Sequence, residues 1–262
     1  MQDYWHKQTA EQPLYPDLLW SRPENKARAG KLLIIGGNVH SFAAAGEAYG
    51  EAVKTGIGTA RVLLPDSLQK TVSRVFPEAE FAPSTPSGSF GRRALAELLD
   101  LSAWADAVLL AGDFGRNSET AILLEQFVEK YRGQLTITKD ATDYFTKAPA
   151  ALLARPDTLL ILSFAQLQKI AVSARSTSAF TFDMDFLRLV EKLHEFTMNN
   201  PAALVVKHLE TIFIAVNGQV STTKLAEDVE IWRVRTAAHA SVWWLQNPQK
   251  KFESITTALT AP

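Results

Sequence analysis

The stretch Lys31 to Gly46, KLLIIGGNVHSFAAAG, holds the strongest folding constraint in the chain: an apolar run, a glycine pair, then small helix-forming residues. The pattern recurs. Strand-like runs stand at LLII (32 to 35), ARVLLP (60 to 65), ADAVLLAGDFG (105 to 115), QLTIT (134 to 138), TLLIL (158 to 162) and ALVVK (203 to 207). Most are continuously apolar rather than alternating, as strands covered on both faces require. With helical patterns between them they predict βαβ units and a three-layer α/β/α fold around a mostly parallel sheet. The 262 residues suffice for one large core, so residues 31–262 are expected to form a single domain. Residues 1–30, polar and bearing Pro13, Pro16 and Pro23, are expected to lead into it as an arm or short helix.

Local signals refine this outline. Phe42, Ala45, Ala48, Tyr49, Ala52 and Val53 recur at the helical period, predicting a helix from Ser41 to Lys54 that ends at TGIG. APSTPSGSFG (82 to 91) reads as a loop, followed by a short helix from Arg93 to Leu99. Asn117 or Ser118 can cap a helix that stops at Gly133, and Asn217-Gly218 between two strand-like runs signals a hairpin. A helix from Trp232 to Leu245 and a final short helix close the chain.

Composition removes several functions. A net charge of -1 gives no long-range attraction to nucleic acid or to an anionic membrane. Without cysteine there is no disulfide, thiolate metal site or cysteine nucleophile, and the five histidines lack zinc-binding spacing, so no metal ligands are expected. No leader-like N-terminus stands out and no run approaches the roughly 18 apolar residues of a membrane span, which points to a cytoplasmic location.

The chemistry-bearing candidates lie at strand ends. Gly36, Gly37 and Asn38 follow one strand and lead into a helix, an arrangement that can present backbone N–H groups to an anion. A tight turn explains the same glycines, since GGNVHS is neither GxGxxG nor a Walker loop. Gly112, Asp113, Gly115 and Arg116 in AGDFGR repeat the strand-glycine-helix logic, and ligands of open α/β sheets bind at such carboxyl ends. Asp140 in KDATDYF suits a hydroxyl or a Mg-linked group, or equally a cap; Lys207, closing ALVVK, can meet a phosphate, or serve as a solvated edge.

The order of these pieces resembles the ADP/ATP-dependent NAD(P)H-hydrate dehydratases, a family on the ribokinase-like fold, over roughly residues 20 to 250. SRPENKARAGKLLIIGGN supplies Arg22, Lys26, Gly30, Gly36 and Gly37, with Asn25 and Asn38 where the family has histidine and serine. KTGIG (54 to 58) is similar to the family's RAGAG and AGDFGR to its GPGLGR, while DATDY keeps Asp140 of DADAL. The family's HPGE falls on SFAQ, with Ser163 and Gln166 at its outer positions, and its lysine-glycine step falls on Lys207 and His208. The departure is near the C-terminus: the family's GTGD, whose amides hold nucleotide phosphates and whose aspartate is the catalytic carboxylate, is matched in register by EIWR, Glu230 to Arg233. Asp228 or Glu230 would supply a carboxylate only if the register slips.

Membership would imply ATP or ADP and Mg as cofactors, an NAD(P)H-like ligand, and dehydration through a phosphorylated hydrate. With the glycine-rich loop replaced, the first reading is a divergent dehydratase-like protein that keeps a nucleotide cleft and, if active, is an ADP/ATP-dependent NAD(P)H-hydrate dehydratase; whether it turns over is left open by the sequence. The alternative is a descendant that binds a ligand or a protein, including a second copy of itself. Trp232, Trp243 and Trp244 would then cover the cleft or form an interface, unless they only fill core.

Overall fold

The structure, a computed structural model, describes residues 3–9, 11–176, 179–224 and 232–260. Its strands are β1 (Trp5–Gln8), β2 (Lys31–Gly36), β3 (Thr59–Pro65), β4 (Ala79–Ala82), β5 (Ala107–Gly112), β6 (Gln134–Thr138), β7 (Thr158–Leu162), β8 (Ala203–His208), β9 (Thr211–Val216) and β10 (Gln219–Lys224). They form one sheet in the order β1-β10-β9-β8-β7-β6-β5-β2-β3-β4. From β8 to β4 every neighbouring pair is parallel, while β8, β9 and β10 run antiparallel.

Helices cover both faces: α1 (Pro16–Trp20), α2 (Ala43–Lys54), α3 (Gln69–Val72), α4 (Leu95–Trp104), α5 (Ser118–Lys130), α6 (Ala150–Leu153), α7 (Phe164–Ser173), α8 (Phe186–Asn199), α9 (Trp232–Gln246) and α10 (Lys251–Thr257). Alternate residues of each strand feed two cores. Leu33, Ile35, Val108 and Leu110 pack with Leu98, Phe127, Leu167 and Leu193 from α4, α5, α7 and α8. Leu32, Ile34, Leu109 and Ile161 pack on the other face with Ala45, Ala48, Val234, Trp243 and Ile255 from α2, α9 and α10. Burial on both faces is why these strands read as continuous apolar runs.

The first thirty residues do more than lead in. β1 pairs parallel with β10, and Gln8 donates to Thr256 O (2.8 Å) and Thr223 Oγ1 (3.2 Å), sealing one edge of the sheet against α10. The helix after the 82 to 91 loop runs to Trp104 rather than Leu99, preceded by a 3-10 turn at Arg92–Ala94. Asn117 caps α5 by accepting from the N–H groups of Glu119 and Thr120, and Asn217 and Gly218 both take positive φ in the β9–β10 hairpin.

One topological feature positions the candidate site. The chain leaves β2 for β3 and β4 on one side, then returns to place β5 on the other. Where strand order reverses in this way, the connections after the two central strands leave to opposite faces of the sheet, and ligands of open α/β sheets bind outside those carboxyl ends. In this protein those ends are Gly36 and Gly112.

Candidate functional site

Gly36 and Gly112 are partners across β2 and β5, at a point where the register shifts. A Cβ on Gly36 would lie 2.5 Å from the carbonyl oxygen of Gly112, and Gly37 N donates to that same oxygen at 2.9 Å. Gly37 (φ 93°) and Gly112 (φ 113°) use backbone conformations that side chains rarely adopt. The two glycine turns are therefore one junction, tied further by Asn38, whose Nδ2 donates to Asp113 O at 2.6 Å while its Oδ1 accepts from His40 N.

The amides that could cradle an anion already have partners. Asp140, entering from the end of β6, accepts from Asp113 N (2.6 Å) and Gly115 N (3.0 Å). Asp113, held at φ 61°, turns its own carboxylate toward the start of α2, accepting from Ala44 N (2.8 Å) and Ser41 Oγ (2.9 Å). Lys139 Nζ closes the cluster with an ion pair to Asp113 Oδ1 at 2.7 Å. A carboxylate at a helix start meets unsatisfied N–H groups and the positive end of the helix dipole. Here the chain supplies that anion itself.

The two carboxyls titrate in opposite directions. Burial pushes both up; for Asp113 the bonds from Lys139, Ala44 and Ser41 outweigh it and leave the group below its ordinary value. For Asp140, burial prevails over the amides of Gly115 and Asp113 and leaves it raised. A depressed carboxyl contributes stability that is present above the unfolded pKa and lost as pH falls through the folded one. Asp113→Asn, which tolerates the left-handed backbone, is expected to destabilise the protein at neutral pH by an amount that shrinks in acid. Chemical denaturation across pH checks this, and a difference that does not change with pH would contradict it.

A second polar group adjoins the first. Ser163 and Gln166 form a capping box at the start of α7, and Gln166 Nε2 also donates to Lys139 O (2.7 Å) and Asp143 Oδ1 (2.9 Å). Arg233, in the first turn of α9, donates to Gln166 Oε1 at 3.3 Å. Burial pushes its guanidinium down, against the opposing pull of Asp143 and Asp140. Gly36, Gly37, Asn38, Gly112, Asp113, Gly115 and Asp140 thus form one bonded cluster that Lys139 joins to Ser163 and Gln166. Arg116 is exposed beside Gly115, and Lys207 is half-buried near the end of β8. Asp228 and Glu230 lie outside the described residues.

Sequence reasoning did not single out Ser41, Lys139, Tyr144 or Arg233. Tyr144 donates to Gly115 O at 2.7 Å and so braces the second turn. The one signal for these residues was proximity to the motifs, because their contacts come from strand order.

A ten-stranded, mostly parallel sheet between two helical layers, with its strand order reversing at the β2–β5 junction, has the three-layer α/β/α architecture of the ribokinase-like fold. Solved structures with this architecture include a ribokinase-like superfamily protein from Enterococcus faecalis, at 14% identity and TM-score 0.72 over 99% of this chain and 86% of that one. The ADP/ATP-dependent NAD(P)H-hydrate dehydratase from Bacillus subtilis, co-crystallised with ATP and Mg2+, aligns at 12% identity and TM-score 0.64 over 95% of this chain and 86% of that one. The pyridoxal kinase from Staphylococcus aureus, in complex with AMP-PCP and pyridoxal, aligns at 11% identity and TM-score 0.57 over 88% and 85%. At such identities the likeness is one of fold. No family model matches the sequence, and no curated protein matches it. Among the described residues no helix is long and apolar enough to cross a membrane.

Proposed function

We propose that this chain is a ribokinase-like protein, divergent from the NAD(P)H-hydrate dehydratases, that binds a nucleotide-class anion at the carboxyl edge of its sheet without performing the dehydration. The observation that carries the reading is Arg233. In the register of the family resemblance it stands where the catalytic aspartate is expected, and it bonds to Gln166 beside Asp140 and Asp143. A guanidinium remains protonated at physiological pH and cannot take a proton from a hydroxyl. It can meet an anion through a planar fork of donors.

The two glycine turns are not open to the phosphates of ATP. The amides of Ala44, Asp113 and Gly115 already hold carboxylates. A bound nucleotide would rely on side-chain cations, and Arg116, Lys207 and Arg233 all belong to this edge of the sheet. The solved neighbours that carry ATP with Mg2+ or AMP-PCP support the ligand class. Of the three tryptophans invoked by the protein-binding alternative, Trp243 and Trp244 pack in the core at 1% and 3% exposure, and Trp232 is half-buried against that core.

The test is to incubate the purified protein with hydrated NADH, ATP or ADP and Mg2+ and to follow NADH absorbance. The expected outcome is recovery no faster than without protein. Recovery above that rate would overturn the proposal.

A further inference from the structure

The amino end of the sheet, opposite the glycine junction, has a cavity of its own. α7 leads away from the carboxyl end of β7 and α8 hands over to the start of β8, so the last turns of both helices lie at that end. Between them is a cavity of about 350 Å³, within the size range of small-molecule sites. Arg175, Lys192, Glu195, Asn199 and Asn200 form its polar wall, and Phe196, 4% exposed, adds an apolar part.

Arg175 stands at a position that local structure does not favour for it. α7 ends in a Schellman turn, with Ser176 N donating to Ala171 O and Arg175 N to Val172 O, both at 3.0 Å. Arg175 takes φ 53° there, the place in this turn that glycine commonly fills because a side chain is strained. A cation one or two residues earlier would complement the helix dipole without that cost. Among the described residues the Arg175 guanidinium has no hydrogen-bond or ion-pair partner, so no internal contact offsets the strain. Strain held in this way, at the wall of a cavity, points to a ligand.

The wall carries both signs. Lys192 Nζ pairs with Glu195 Oε2 at 2.7 Å. The side-chain amides of Asn199 and Asn200 donate to Glu195 O (3.0 Å) and Phe196 O (2.8 Å), which leaves their Oδ1 atoms as acceptors. Two cations against one carboxylate give the wall a net positive charge, while a carboxylate and two amide oxygens remain for an ammonium. A simple anion would use half of this wall. A small molecule with two carboxylates and one ammonium uses all of it.

We propose that this cavity is a second ligand site, independent of the nucleotide-binding reading, and that it takes a small amino dicarboxylic acid. Arg175 receives a carboxylate through its planar fork of donors, and Glu195 with the oxygens of Asn199 and Asn200 receives the ammonium.

The experiment is calorimetric titration of the full chain with L-glutamate, with glutarate, which keeps both carboxylates and lacks the ammonium, and with inorganic phosphate. The wild type is expected to bind glutamate more tightly than either of the others. Arg175→Gly suits the left-handed backbone, so it is expected to melt no lower than the wild type while binding glutamate roughly 10- to 150-fold more weakly. An arginine with a merely structural role would not separate stability from binding in this way. No glutamate binding by the wild type, or equal binding by Arg175→Gly, would overturn the proposal. Glutarate or phosphate binding as tightly as glutamate would overturn it too, because the ammonium would then have no part in recognition.

Discussion

Gly36→Ala is expected to destabilise the protein by about 3 kcal/mol, a large effect for adding one methyl group. The new Cβ would meet the Gly112 carbonyl oxygen at 2.5 Å, and that oxygen belongs to the backbone of the adjacent central strand. A flexible side chain could swing away; a carbonyl that accepts from Gly37 N cannot move without breaking the β2–β5 junction. Backbone φ is not the cause, because Gly36, unlike Gly37 and Gly112, does not lie in the left-handed region. Urea denaturation should show a lowered midpoint with an unchanged slope. A shift worth less than about 0.5 kcal/mol would mean that the strands separate easily there.

Trp243→Ala is expected to lower stability by about 4 kcal/mol, the scale of a large aromatic removed from a core. Its side chain is 1% exposed, packs in the core on the α2, α9 and α10 face of the sheet, and lies beneath the Arg22 guanidinium at 5.0 Å. Arg22 in turn donates to Thr55 O, so the ring helps fasten the N-terminal residues to the end of α2. Were Trp243 an interface residue, its loss would change assembly and leave the monomer's unfolding midpoint nearly intact. Denaturation at several protein concentrations separates these outcomes, since only an assembly effect depends on concentration.

The elements legible in the sequence were those whose physics is local. β2, β5, β7 and β8 announce themselves because both faces are covered and each has a continuous apolar run at its centre. β1 (WHKQ) and β4 (AEFA) did not, being four-residue edge strands whose pairing depends on a partner far away in the chain. The cap at Asn117 and the Asn217-Gly218 hairpin needed only short-range hydrogen bonding and were readable for that reason.

The site shows the same division. Gly36-Gly37 and AGDFGR were visible as turns, but their adjacency arises from the strand order and from nothing in either motif. The ion pair between Asp113 and Lys139 spans 26 residues of sequence and needs two non-glycine residues at positive φ. The choice between an anion cradle and a tight turn could not be made from sequence. In the structure the glycines serve close strand approach, and the nearby amides are satisfied by Asp113 and Asp140.

The central claim is that this edge of the sheet binds a nucleotide-class anion through side-chain cations, with Arg233 among them. Calorimetric titration of ATP, ADP and NADH into the wild type and Arg233→Ala, with thermal melts of the same samples, tests it most directly. A ligand that binds the native state raises its apparent stability. The account predicts binding and a raised melting temperature for the wild type, with a clearly smaller ligand-induced shift for Arg233→Ala. No binding by the wild type, or equal binding by the variant, would contradict it.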